Sequence, residues 1–359
     1  MTLSRILLVS TIALLAACKI EISTPTSGSV GTLSEAYSCG TNQTCIVEVD
    51  DIFFDETFVG EPATGFVFKG WRKTSASLCV NETGNCRVET ASGAAYPGFA
   101  ALLADPDLTV RLEPAFQSTG FKTLFTGNSF VRPMADGIPA LATAAGIANH
   151  DHHQVTAGGQ NGAPQNLWAN PTKGPQIRAV LDEGDVDIFT MTSLPATMDG
   201  FRLWIDYALA QNPNTRIGIN IPWGPYPSLM DTAAYEANWE NYYSNTLANI
   251  DTLRLEYPGT EIFAIAYGRG AIELRKLLDA GNLPDVEAMS SSTAPSIFND
   301  NLGHADDIHR DLNRLIWLRV IYDIDLNAMA YNPGYITDIK AIAQDIADAQ
   351  DDNYNAAYR

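Results

Sequence analysis

Positive charge is what this chain has least of. Its 22 lysines and arginines face 42 aspartates and glutamates, giving a formal net charge of −20 at pH 7. A surface this acidic has no basic stripe with which to neutralise phosphates, which excludes nucleic acid and anionic lipid headgroups as primary partners. Histidine is also scarce: His150, His152, His153, His304 and His309 are the full set. Any reaction that needs an imidazole base therefore has few residues to draw on. Long apolar runs are missing near the N-terminus, where Ile6 to Leu15 falls short of the ~20 residues a membrane-spanning helix requires. Cysteine is limited to five residues. Cys18 stands apart, while Cys39, Cys45, Cys79 and Cys86 form two close pairs in the first quarter of the chain.

The N-terminus reads as an export signal: Arg5, the short apolar run, then small residues before a cleavage point. Leu15-Ala16-Ala17-Cys18 resembles the bacterial lipobox. That resemblance implies removal of residues 1–17, lipidation of Cys18, and a membrane partner reached through the lipid anchor. Residues 18–33, rich in Ser, Thr, Gly and Pro, are expected to form a tether. Lys19 after the cysteine implies sorting to the outer membrane, on its periplasmic face or at the cell surface. In an exported chain the four remaining cysteines read as two disulfides, Cys39 with Cys45 and Cys79 with Cys86. The absence of histidine from that region argues against a metal knuckle.

Two grammars follow. Residues 34–117 are strand-like and turn-rich, with alternation in Phe53-Phe54-Asp55-Glu56-Thr57-Phe58 and a closing stretch Leu108 to Phe116, so a small β domain is expected. Gly65-Phe66-Val67-Phe68-Lys69-Gly70-Trp71, the pair Cys79 and Cys86, and Leu112-Glu113-Pro114-Ala115-Phe116 resemble bacterial surface repeats that serve as spacers or adhesive modules. From 118 to 359 strands and helices alternate. Apolar strands at 121–125, 186–192, 216–223 and 261–267 are separated by helical stretches at 134–147, 175–183, 201–211, 235–257 and 271–280, with a last long helix at 306–322. That order predicts an α/β fold with a doubly wound, flavodoxin-like parallel sheet, whose ligands sit at the carboxyl ends of the strands.

Gly127-Asn128-Ser129 falls at the carboxyl end of the first of those strands. A serine there is either a helix cap in a turn or a nucleophile, and a nucleophile needs a base and a group to orient it. Gly127-Asn128-Ser129, the glycines Gly158 and Gly159 after the second strand, and an Asp/His pair before the final helix together resemble the SGNH (GDSL-type) hydrolases over residues 121–325. The resemblance implies a serine esterase needing no cofactor and no metal, acting on a small-molecule or polysaccharide ester. It implies Ser129 as nucleophile, His304 as base, Asp300 as its orienting carboxylate, and the Ser129, Gly158 and Gly159 amides as oxyanion donors. Asp306 with His309 is the competing pair, since Asp306-Asp307-Ile308-His309 has the family's more usual spacing.

The chain departs from the family where an asparagine should follow the third strand. Met191-Thr192-Ser193-Leu194-Pro195 stands there instead, leaving Thr192 or Ser193 as substitute donors. Two other readings stay open. One is a non-catalytic surface binder with a degenerate hydrolase domain; the other is a metal-dependent hydrolase centred on His150 and His152, which a strand would point to one face. Trp223-Gly224-Pro225-Tyr226-Pro227, after the fourth strand, is either a substrate wall or a stiff loop packed on its own core.

Overall fold

A computed structural model describes residues 18–356 apart from 50, 51, 64, 81 and 97, so the signal-peptide reading of residues 1–17 lies outside the described residues. The chain divides into two compact units, Met1–Gln117 and Ser118–Arg359.

The first unit is mostly β. Its strands are β1 Cys18–Ser23, β2 Gly28–Thr32, β3 Ser38–Cys39, β4 Thr44–Val49, β5 Asp55–Pro62, β6 Phe66–Trp71, β7 Cys86–Glu89, β8 Thr109–Leu112 and β9 Pro114–Ser118, with one short helix, α1, at Phe99–Leu103. They form sheets in the orders β4-β1-β8, β3-β2-β5-β7 and β6-β9. The expected tether is corrected here. Ile20 and Ile22 alternate inward, β1 pairs antiparallel with β4 and parallel with β8, and Val30 of β2 joins the same core. Local composition favoured a flexible segment, but every second side chain is apolar and finds a buried partner. Cys18, the free cysteine, is buried at the start of β1. Disulfides join Cys39 to Cys45 and Cys79 to Cys86, with Cα atoms 5.8 and 5.7 Å apart. Phe68 packs edge-on against Trp71 at 5.2 Å, and the Trp71 indole donates to Gly84 O at 2.9 Å, so this aromatic pair belongs to the unit's interior.

The second unit is mixed α/β. Strands β10 Lys122–Gly127, β11 Asp151–Thr156, β12 Ile188–Thr192, β13 Arg216–Asn220 and β14 Ile262–Ile265 form a parallel sheet in the order β11-β10-β12-β13-β14. Its helices are α2 Arg132–Ala144, α3 Pro164–Ala169, α4 Lys173–Leu181, α5 Met198–Gln211, α6 Thr232–Glu256, α7 Arg269–Asp279, α8 Asp307–Tyr322 and α9 Ile339–Asp348. One sheet face buries Leu124, Phe189 and Ile219 against Leu167, Ile177, Trp204 and Ile250 from α3 to α6. On the other, Phe125 and Tyr267 meet Trp317 of α8 at 5.1 and 5.4 Å. A separate parallel pair, β15 Ala288–Ser290 and β16 Ser296–Phe298, leads into α8. β10 lies between the strands that follow it, so the winding reverses there, and in sheets of this kind ligands bind beyond the carboxyl end of the strand at that point. α3, α9, β15 and β16 are elements the sequence reading did not single out. No helix among the described residues is long and apolar enough to cross a membrane.

Candidate active site

Ser129 leaves β10 into a turn that is held from several sides. The Asn128 side chain donates to Leu194 O at 2.7 Å and accepts from the Phe130 amide at 3.0 Å. Asn128 O accepts the amides of Val131 and Arg132, both at 3.0 Å, opening the path into α2. Tyr267, fully buried, donates its hydroxyl to Phe130 O at 3.2 Å. Glycine is required at two contacts. A Cβ on Gly127 would stand 2.6 Å from Val131 Cγ2, and one on Gly162 would stand 2.4 Å from Gly127 O. The second contact shows how closely the loop after β11 lies over the turn. Ser129 itself is partly exposed.

The candidate base, His304, lies in the loop between β16 and α8. Asp300 accepts the Gly303 and His304 amides through Oδ1 at 2.9 and 3.1 Å, and the His304 Nδ1 through Oδ2 at 2.6 Å. The other ring nitrogen of His304, Nε2, lies 2.9 Å from Ser129 Oγ. A carboxylate can only accept, so Nδ1 carries the proton and Nε2 is left to accept from the serine hydroxyl. Partial burial pushes the Asp300 pKa up. The His304 ring, with the His304 and Gly303 amides, outweighs that burial, and the carboxyl ends below its ordinary value. The arrangement can abstract a proton from Ser129 and hold the resulting imidazolium.

Asp306 and His309 are not brought together with Ser129. His309 sits inside α8, wholly buried, with ring centroids 4.2 Å from Trp223 and 5.2 Å from Phe298. Burial takes its pKa down to about 3, the Ile297 backbone opposing and Arg310 adding to the shift. Asp306 Oδ2 instead accepts the Ser296 amide and hydroxyl at 3.1 and 3.0 Å. The two D-to-H spacings differ because α8 begins at Asp307 and carries His309 into the core, whereas His304 stays in the loop.

The amides of Ser129, Gly158 and Gly159 donate to no other group among the described residues. Both hydroxyls at the end of β12 are engaged elsewhere. Ser193 Oγ donates to Asn220 O at 2.8 Å and meets the Tyr242 hydroxyl, while Thr192 is fully buried and bonded locally to Leu194. His150 Nδ1 bonds the Tyr322 hydroxyl at 2.5 Å, and burial lowers its pKa to about 4. His152 lies beside Phe125, and His153 faces Asp151 at 3.2 Å. No group of three or more His, Cys, Asp or Glu side chains among the described residues is placed to hold a metal ion.

Trp223 is the residue whose role the sequence did not reveal. It is fully buried and donates its indole N–H to Gly303 O at 2.7 Å. It also stacks on Phe130 with centroids 4.8 Å apart, and Phe130 meets the His304 ring edge-on at 5.6 Å. One side chain thus links the residue after Ser129 to the residue before His304. A tryptophan at a strand's carboxyl end was the available signal, but it did not distinguish a clamp from a substrate wall.

No family model matches the chain, and no curated protein matches it. Two solved structures share parts of its shape. The periplasmic domain of a lipopolysaccharide acetyltransferase from Salmonella serovar Paratyphi A is 15% identical, covering 41% of this chain and 67% of that one at a TM-score of 0.28. A DUF4886 family protein from Bacteroides uniformis is 15% identical, covering 64% and 93% at a TM-score of 0.41.

Proposed function

We propose that the second unit is a serine hydrolase acting on carboxylic esters. The observation that carries this is the continuous hydrogen-bonded line from Ser129 Oγ through His304 to Asp300, at 2.9 and 2.6 Å, at the carboxyl edge of a parallel sheet. Ser129 Oγ attacks the ester carbonyl while its proton passes to His304 Nε2. The oxyanion is met by the Ser129, Gly158 and Gly159 amides. Collapse breaks the bond to the alkoxide, which leaves with the proton from His304. Water then attacks the acyl-serine with His304 again as base, releasing the acid and restoring Ser129. Asp300 keeps the imidazole in its tautomer throughout. A hole built only of backbone amides lacks one side-chain donor, a loss worth ~10²–10³ in rate, so slow turnover is expected.

Turnover of p-nitrophenyl acetate tests the reading. Ser129→Ala and His304→Ala are expected to fall to background, and His309→Leu to retain activity. Loss in His309→Leu with activity kept in His304→Ala would reverse the choice of base.

Export with lipidation at Cys18 also stands as a proposal, resting on Arg5, the apolar run Ile6 to Leu15 and the Leu-Ala-Ala-Cys stretch. Cys18 is buried in β1, so a lipid on its sulfur requires the first pair of that strand to open. Detergent-phase partitioning checks it: wild type in the detergent phase and Cys18→Ser in the aqueous phase supports an anchor, and identical partitioning contradicts one.

A further inference from the structure

Six large hydrophobic side chains stand exposed among the described residues of the second unit: Leu203, Tyr226, Leu229, Leu255, Leu302 and Ile336. Half of them lie on the two loops that flank the candidate base. Leu302 is two residues from His304, and Tyr226 and Leu229 lie on the loop after β13. The loops are joined, since the Tyr226 amide donates to Leu302 O at 3.0 Å and the Leu229 amide donates to Tyr226 O at 3.1 Å. Pro227 fills the space beside Gly303, its Cδ 2.8 Å from where a Cβ would stand. Tyr226 holds a left-handed backbone, φ 56°, and is 51% exposed. A bulky residue adopts that conformation only where its surroundings impose it. The backbone here is fixed, and it presents Tyr226, Leu229 and Leu302 to water beside the small polar side chains of Ser228 and Asn301.

The same stretch carries no charge. From Trp223 to Met230 and from Asn301 to Gly303 there is no Asp, Glu, Lys, Arg or His, in a protein with 42 aspartates and glutamates. Asp300 and His304, which bracket the second stretch, are committed to each other. Exposed apolar side chains on two hydrogen-bonded loops, one of which carries the candidate base, mark a place for an apolar ligand.

We propose that Tyr226, Leu229 and Leu302 form an acyl-chain ledge, which makes the site select esters of medium-length apolar acids over acetyl esters. The inference rests on Ser129 acting as the nucleophile. The occupant is the neutral acyl chain of a single substrate molecule rather than a bilayer, because the net charge of −20 opposes approach to an anionic membrane. Each methylene laid on the ledge is worth up to about fourfold in kcat/KM when fully buried.

The test compares kcat/KM for p-nitrophenyl octanoate, below its micellar concentration, with that for p-nitrophenyl acetate. Variants are Tyr226→Asn, whose side chain tolerates the left-handed backbone, and the double variant Leu229→Ser/Leu302→Ser. Wild type is expected to prefer octanoate by at least about tenfold, and that ratio to fall by about tenfold in the double variant. A wild-type preference for acetate, or equal losses on both esters, would overturn the ledge. Calorimetric binding of octanoate to Ser129→Ala is read in parallel because it needs no turnover. Octanoate binding that the double variant weakens, with no hydrolysis of either ester by wild type, would retain the ledge and remove the hydrolase reading. No octanoate binding, with or without co-sedimentation on phosphatidylcholine vesicles, would remove the ledge, and vesicle binding would assign the patch to a membrane.

Discussion

Histidine shows most plainly how environment divides roles among like residues. His304 is held at the surface between a carboxylate and a hydroxyl, whereas His309, five positions on, is sealed among aromatic rings. Sequence spacing alone did not separate them, because the motif Asp-x-x-His fits the pair that the core absorbs. What distinguishes them is the start of α8, visible in the apolar period of Leu312, Leu315 and Ile316 but not in the motif. The buried histidines also set a pH dependence. His309 has its pKa lowered to about 3, and His150 to about 4, against ~6.5 in an unfolded chain. Below pH ~6.5 the unfolded chain binds protons that the folded one refuses. Their stabilisation is therefore complete above that pH and is lost as pH falls toward the folded values. For the fully buried His309 the loss is about 1.4 kcal/mol per pH unit within that window. Urea midpoints at pH 7 and pH 5 are expected to differ less in His309→Leu than in wild type. An equal difference in both would contradict this account of acid lability.

At the scale of elements, the site is made by loops that the sheet brings together from distant parts of the chain. The turn after β10 was legible because strand, Gly-Asn-Ser and helix follow one another within a short span. The pairing of Asp300 with His304 was legible for the same reason, as both lie in one loop. Trp223 was not, since its bond to Gly303 spans 80 residues, and no local pattern records a partner so far away. β1 shows the opposite case: the Ser, Thr, Gly and Pro of residues 18–33 suggest a tether, whereas the alternation of Ile20 and Ile22 acquires its meaning only through pairing with β4 and β8. If Trp223 holds the base loop, Trp223→Phe keeps the stacking on Phe130 and removes the hydrogen bond to Gly303. The loss of one buried bond and a small displacement of the imidazole are expected to lower kcat by roughly 5- to 100-fold with little change in KM. Steady-state kinetics on p-nitrophenyl acetate decide the matter. A kcat within twofold of wild type would leave Trp223 as core alone.

At the scale of the molecule, the candidate site and the covalent reinforcement occupy different units. Ser129, Gly158, Gly159, Asp300 and His304 all fall within Ser118–Arg359, which has its own two-faced core. Both disulfides fall within the first unit, closing short loops of sequence separation 6 and 7. Such closures stabilise chiefly by restricting the unfolded chain. The alternation of strands and helices made the second unit's α/β class readable from sequence, because each strand is a short apolar run bounded by turns. We propose Ser129 as a nucleophile activated by His304. The most direct test is intact mass of the purified protein after exposure to a fluorophosphonate, followed by peptide mapping. One adduct on the peptide containing Ser129, absent in Ser129→Ala and in His304→Ala and present in His309→Leu, is the expected result. No adduct on wild type, or an adduct that persists in Ser129→Ala, would contradict it.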